Sequence, residues 1–141
     1  MIYIDTSVWI AQHTREVGTK AVQHWMAEQD IEAFVCSQWV KTEYASGLSI
    51  KFRRGGLSVE HFTSAHQCFA ELCVAGPSWI SLRDEDFLQA ARLCSDSASA
   101  LRAGDALHLA VALRSGCSAF CSLDHVLNKN AAACGLHTFA L

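Results

Sequence analysis

Ile2-Tyr3-Ile4-Asp5-Thr6-Ser7 lies at the start of the chain. Its β-branched and aromatic residues favour a short strand, and the acid and two hydroxyls that follow are residues that cap helices. A strand running through an acid into a helix belongs at the carboxyl edge of an open α/β sheet, where such proteins place their sites. Similar apolar runs at 33–36, 79–82, 119–123 and 137–140 read as further strands. Between them apolar residues recur at helical spacing, as in Ala21, Val22, Trp25 and Met26, then Phe62, Ala65, Phe69 and Leu72, then Phe87, Ala90, Ala91 and Cys94. Ser58 and Asp84 stand where helices would start, and Gly55-Gly56, Gly76-Pro77, Ser115-Gly116 and Gly135 where they would stop. The order is strand, helices, strand, two helices, strand, two helices, strand, helix, strand. It predicts a mainly parallel sheet covered on both faces, a three-layer α/β/α sandwich of Rossmann-like character.

The 141 residues suit one domain, 1–141, with a core large enough to need no cross-links. Half the residues are apolar, yet no run reaches the roughly 18 apolar residues of a membrane span. A strand beginning beside Met1 leaves no room for a signal peptide, so the expected location is the cytoplasm. The seven cysteines form no C-x-x-C pair and mostly adjoin apolar residues, which points to reduced thiols rather than zinc or redox chemistry. With a net charge of −3, any contact with nucleic acid must come from a local basic patch.

Four acids carry the chemistry. Asp5 follows the first strand, and Asp124 follows Phe120-Cys121-Ser122-Leu123. Either could serve only as a helix N-cap. Glu43 lies in a helix of core and small residues, and Asp105 opens Asp105-Ala106-Leu107-His108-Leu109-Ala110-Val111-Ala112-Leu113. A helix that apolar is buried on most sides, and a buried carboxylate must be neutralised, paired or bound to metal.

Taken together, Ile4-Asp5-Thr6-Ser7, the Glu43 helix, Gly104-Asp105-Ala106-Leu107-His108-Leu109-Ala110 and Ser122-Leu123-Asp124-His125 resemble the PIN-domain family, and within it the VapC-like toxins of bacterial toxin–antitoxin pairs. The likeness runs from the first strand to the last. It implies that Asp5, Glu43, Asp105 and Asp124 converge on Mg²⁺, for which Mn²⁺ substitutes. Asp5 and Asp105 are expected as direct ligands, and Glu43 and Asp124 as ligands through water or a second ion. Such hard cations take oxygen donors, and Mg²⁺ keeps several waters. The implied reaction is hydrolysis of RNA phosphodiester bonds with water as nucleophile, leaving 5′ phosphate and 3′ hydroxyl ends. A cognate antitoxin and a homodimer are the partners implied.

Thr6, Ser7 and Ser122 are candidate supports for the acids, with helix capping or a strand end as the alternative use of each hydroxyl. Lys41, Lys51, Arg53, Arg54 and Arg102 flank the Glu43 and Asp105 helices as candidate contacts to an RNA backbone, or simply as solvated charges. Trp39 could stack a base; Trp9 reads as core or as part of a partner groove. His108 reads as a packed histidine, because the resembling family uses oxygen ligands, and His125 as exposed. A catalytically silent binding module and a structure-specific DNA nuclease are the competing readings. A haloacid-dehalogenase-type phosphatase is excluded, since its D-x-D is replaced by Asp5-Thr6-Ser7.

Overall fold

The computed structural model describes residues 1–15 and 17–141. Five strands, β1 (Ile2–Ile4), β2 (Phe34–Ser37), β3 (Ser78–Ile80), β4 (Ala119–Cys121) and β5 (His137–Thr138), pair in the order β3-β2-β1-β4-β5. Every pairing is parallel. The helices are α1 (Thr6–His13), α2 (Thr19–Ala27), α3 (Trp39–Arg53), α4 (Val59–Ala75), α5 (Asp84–Ser95), α6 (Ala103–Arg114) and α7 (His125–Ala133). This is the expected three-layer α/β/α arrangement.

Side chains alternate across each strand, so a strand buried on both faces feeds two cores. Ile4, Phe34, Cys36 and Cys121 point into one core with Val8 and Trp9 of α1, Val22 and Trp25 of α2, Val40, Tyr44 and Leu48 of α3, and Ala65 and Phe69 of α4. Tyr3, Val35 and Phe120 point the other way, against Leu109, Val111 and Ala112 of α6 and Leu127 and Ala131 of α7. No described helix is long and apolar enough to cross a membrane. All seven cysteines are free thiols, three of them buried.

Two local expectations shift. Phe87 and Ala91, read as core positions of α5, are exposed, Phe87 by 51%, while Ala90 is buried as read and Asp86 joins it on the inward face. The reason is Arg114 of α6, whose guanidinium grips Asp86 and turns α5 to meet it. Asp84 is the first residue of α5 and not its cap; the Asp86 side chain accepts the Arg83 N–H at 2.8 Å and closes the helix start. Ser58 caps α4 as read, and Gly55, Gly116 and Gly135 take left-handed conformations where helices end.

The chain crosses from β1 outward through β2 to β3, then returns to place β4 on the other side of β1. The reversal falls between β1 and β4, and at such a point the loops leaving the carboxyl ends diverge and open a site.

Candidate active site

Asp5 leaves the end of β1, held by its own backbone N–H to Cys121 O at 3.0 Å. Its Oδ2 accepts the Ser7 hydroxyl at 2.6 Å, the Ser122 hydroxyl at 2.8 Å and the Ser7 backbone N–H at 3.3 Å. Ser7 Oγ accepts from Leu123 N, and Ser122 Oγ from Asp124 N, both at 2.9 Å. Asp5 is therefore both the N-cap of α1 and the centre of a serine clamp joining the ends of β1 and β4. The two readings of Asp5 are one structure.

Glu43 comes from the second turn of α3. Its Oε2 accepts the Thr6 hydroxyl at 2.7 Å and lies 2.5 Å from His108 Nε2. The same nitrogen is 3.3 Å from Asp5 Oδ1. One donor atom each from Asp5, Glu43 and His108 falls within 4.8 Å of the others. Burial alone would push the Glu43 carboxyl up, but the bonds and charge of His108, with Thr6 and the Trp39 indole, outweigh it and hold Glu43 below its usual value. For His108, burial opposes the charged form, and the charges of Asp5, Glu43 and Asp105 override it and raise its proton affinity.

Asp105 sits half-buried in the first turn of α6, where its charge also faces the favourable end of the helix dipole. Its carboxyl is nonetheless raised, by burial first and then by the negative charges of Asp5 and Asp124. Asp124 is exposed and caps α7, Oδ1 accepting Leu127 N at 2.9 Å. The structure thus draws Asp5 and Glu43 into direct apposition, with Asp105 and Asp124 within electrostatic reach. Among the described residues, no trio including Asp105 or Asp124 gathers as closely. Neither is any arginine or lysine ion pair with these four acids seen among the described residues.

Gly104 explains how the helices approach. A Cβ built there would lie 2.7 Å from Glu43 Oε1 and 3.4 Å from Trp39 Nε1, so only glycine leaves this carboxylate its position. Trp9 is core, its indole N–H donating to Cys36 Sγ at 3.2 Å. Lys41 stands over the Trp79 ring at 4.5 Å, Arg53 bonds Ser49, and Arg54 and Arg102 are exposed, Arg102 as the N-cap of α6. His125 is exposed as read. His108 is packed as read, but its contacts are the site acids themselves. Its position one turn after Asp105 was the signal that could have found it.

The donors suit a hard divalent cation. Oxygen atoms predominate, and among the described residues the acids have no guanidinium or ammonium partner for their negative charge.

Comparisons agree with this architecture. VapC20 of Mycobacterium tuberculosis, described as a sarcin-ricin loop cleaving toxin, superposes with a TM-score of 0.73 at 19% identity, covering 96% of each chain. FitAcB of Neisseria gonorrhoeae gives 0.72 at 17% identity, covering 99% of this chain and 97% of that one. VapBC2 of Rickettsia felis, bound to a DNA fragment from their promoter, gives 0.63 at 13% identity over 99% and 98%. No curated protein sequence matches the chain. The PIN domain description matches residues 2–133, nearly the whole length, and the chain therefore belongs to the PIN domain family.

Proposed function

We propose that this protein is a Mg²⁺-dependent endoribonuclease, the toxin of a toxin–antitoxin pair, acting in the cytoplasm. The observation that carries the reading is the apposition of Asp5 and Glu43 beside Asp105 and Asp124, with the buried His108 between them and, among the described residues, no arginine or lysine ion pair. Four carboxylates exceed the charge that one imidazole offsets, and such an excess costs stability until a cation from outside compensates it. The matched structures add support, one being described as a toxin that cleaves the sarcin-ricin loop. VapBC2 and the resemblance to VapC-like toxins support an antitoxin partner, and the resemblance alone supports a homodimer.

Asp5 and Asp105 would hold the cation directly, with Glu43 and Asp124 acting through water or a second ion; Mn²⁺ would serve as well. Bound there, the cation supplies Lewis-acid stabilisation of the charge that gathers on the phosphoryl oxygens and on the departing 3′ oxygen. The chain's own residues orient the rest. Ser7 and Ser122 fix Asp5, while Thr6 and His108 fix Glu43. With the Ser7 and Thr6 hydroxyl protons committed to carboxylates, neither is set up as a nucleophile, in keeping with attack by water. Arg102, exposed three residues before Asp105, is best placed to draw in a phosphate, with Lys41, Arg53 and Arg54 further along the same helices or neighbouring ones.

The test is cleavage of end-labelled RNA by the purified chain with Mg²⁺, Mn²⁺ or EDTA, beside Asp5→Asn and Asp105→Asn, and with single- and double-stranded DNA as competing substrates. Discrete metal-dependent RNA fragments lost in both variants are expected. Cleavage of DNA in preference to RNA, or no cleavage by folded protein, would refute the ribonuclease.

A further inference from the structure

His108 is fully buried in the middle of α6, yet both ring nitrogens are engaged. Nε2 faces Glu43 Oε2 at 2.5 Å and Asp5 Oδ1 at 3.3 Å. Carboxylate oxygens only accept, so the proton between them sits on Nε2. Nδ1 lies 2.8 Å from Tyr3 Oη. That phenol oxygen also accepts the Ser37 backbone N–H at 3.3 Å. A hydrogen-bonded chain runs from Ser37 N–H through Tyr3 Oη to His108 Nδ1 and from Nε2 to Glu43, with Asp5 in ion-pair contact with the same nitrogen. It joins β2, β1 and α6 to the acids on α1 and α3. A ring with Nε2–H committed to carboxylates and Nδ1 committed to a phenol has no lone pair left for a cation.

We infer that His108 is a positioning residue: its imidazole N–H ties Glu43 and Asp5 together, engages Glu43 Oε2, and leaves Oε1 for a divalent cation. The inference rests on the cation-binding reading above and specifies how its acids are held. Gly104 supports it independently. Oε1 occupies the space that a side chain at 104 would take, 2.7 Å from an added Cβ, so the oxygen that neither His108 nor Thr6 engages is the one for which the fold reserves room. The tether also explains how two carboxylates remain together inside the protein before any cation arrives.

The experiment is Mn²⁺ titration of the purified chain, followed by electron paramagnetic resonance, for the unaltered protein and for His108→Leu, His108→Gln and Tyr3→Phe, with thermal unfolding of each. Long-range ¹H–¹⁵N spectra of ¹⁵N-histidine-labelled protein in EDTA read the ring protons directly. The expected results are a protonated Nε2 at His108, roughly 10- to 100-fold weaker Mn²⁺ binding in His108→Leu, and recovery of most of that loss in His108→Gln, whose amide can still donate. Tyr3→Phe should weaken binding less. Unchanged affinity in His108→Leu, a bare Nε2, or ¹⁴N coupling from an imidazole bound to Mn²⁺ would overturn the positioning role. Should the leucine variant fail to fold, equal affinities for His108→Gln and the shorter His108→Asn would overturn it instead. Absence of Mn²⁺ binding by the unaltered chain would overturn the cation site itself and this inference with it.

Discussion

Asp86 on α5 and Asp105 on α6 are acids on helices packed against each other, and their surroundings differ in sign. Asp86 is 1% exposed and fully answered: Arg114 donates Nε to Oδ1 at 2.6 Å and Nη2 to Oδ2 at 2.9 Å, and the Arg83 N–H adds a third bond. The same guanidinium reaches Ser81 O at 3.0 Å, so one fork fastens α6 to the start of α5. Asp105 is less buried, but its carboxyl is pushed up by burial and by the charges of Asp5 and Asp124. The first acid is compensated inside the chain and contributes architecture. The second lies among like charges that outweigh the lowering by His108, which is the setting that the cation-binding proposal requires.

The contrast can be broken by mutation. Asp86→Ala should produce the largest change, a loss of about 3 kcal/mol of unfolding free energy, because it removes both charge-assisted bonds from Arg114 and the bond that closes the start of α5. Urea unfolding reads the loss, and RNA cleavage per folded molecule should be unaltered; a cleavage defect in folded protein would erase the division between clasp and site. Gly104→Ala should do the reverse. The new methyl meets Glu43 Oε1, which His108 and Thr6 prevent from yielding, so metal-dependent cleavage should fall roughly 10- to 100-fold. The urea midpoint should change little, because the roughly 1 kcal/mol by which alanine favours a helix over glycine offsets the strain of that contact.

Asp105→Asn should raise the thermal midpoint in EDTA. A carboxyl whose folded-state proton affinity is raised favours the folded state below its unfolded pKa and costs stability as pH rises through the folded value. At neutral pH asparagine removes that cost. Mn²⁺ should then stabilise the unaltered chain and leave the variant nearly unchanged; destabilisation by Asp105→Asn in EDTA would place it with Asp86. The smallest effect belongs to His13, which burial lowers to about 4. It stays neutral in the fold while the unfolded chain takes a proton, so stability should decline as pH falls from about 6.5 towards 4. The part of that decline above the carboxylate range should shrink in His13→Gln, as pH-dependent unfolding would show.

The alternation of strands and helices was legible because β-branched runs and helical spacings are local properties. The strand ends were less so. The run 119–123 supplies only Ala119–Cys121 to the sheet, because Ser122 turns its hydroxyl to Asp5 and Asp124 turns to cap α7. On the edge strand β5, 137–140 shortens to His137–Thr138. Asp5, Glu43, Asp105 and Asp124 could be named as a set from their places after strands and within helices, together with the family resemblance. What Asp86 and His108 do depends on partners 28 and 65 residues away, and neither spacing follows from a helical or strand period. A burial pattern can locate such residues; only the fold shows whether the neighbour is a cation or an anion.

The pairing of β1 with β4 has a consequence in time. Ile2 meets Ala119, and the Ser122 clamp reaches Asp5 across 117 residues of chain. During synthesis Asp5 and Glu43 leave the ribosome early, but Ser122, which seats Asp5, follows it 117 residues later. A growing chain that has not yet released β4 carries the acids without their frame. On the proposed function, this delays the capacity to cut RNA until β4 and Ser122 have emerged, long after the acids of β1 and α3.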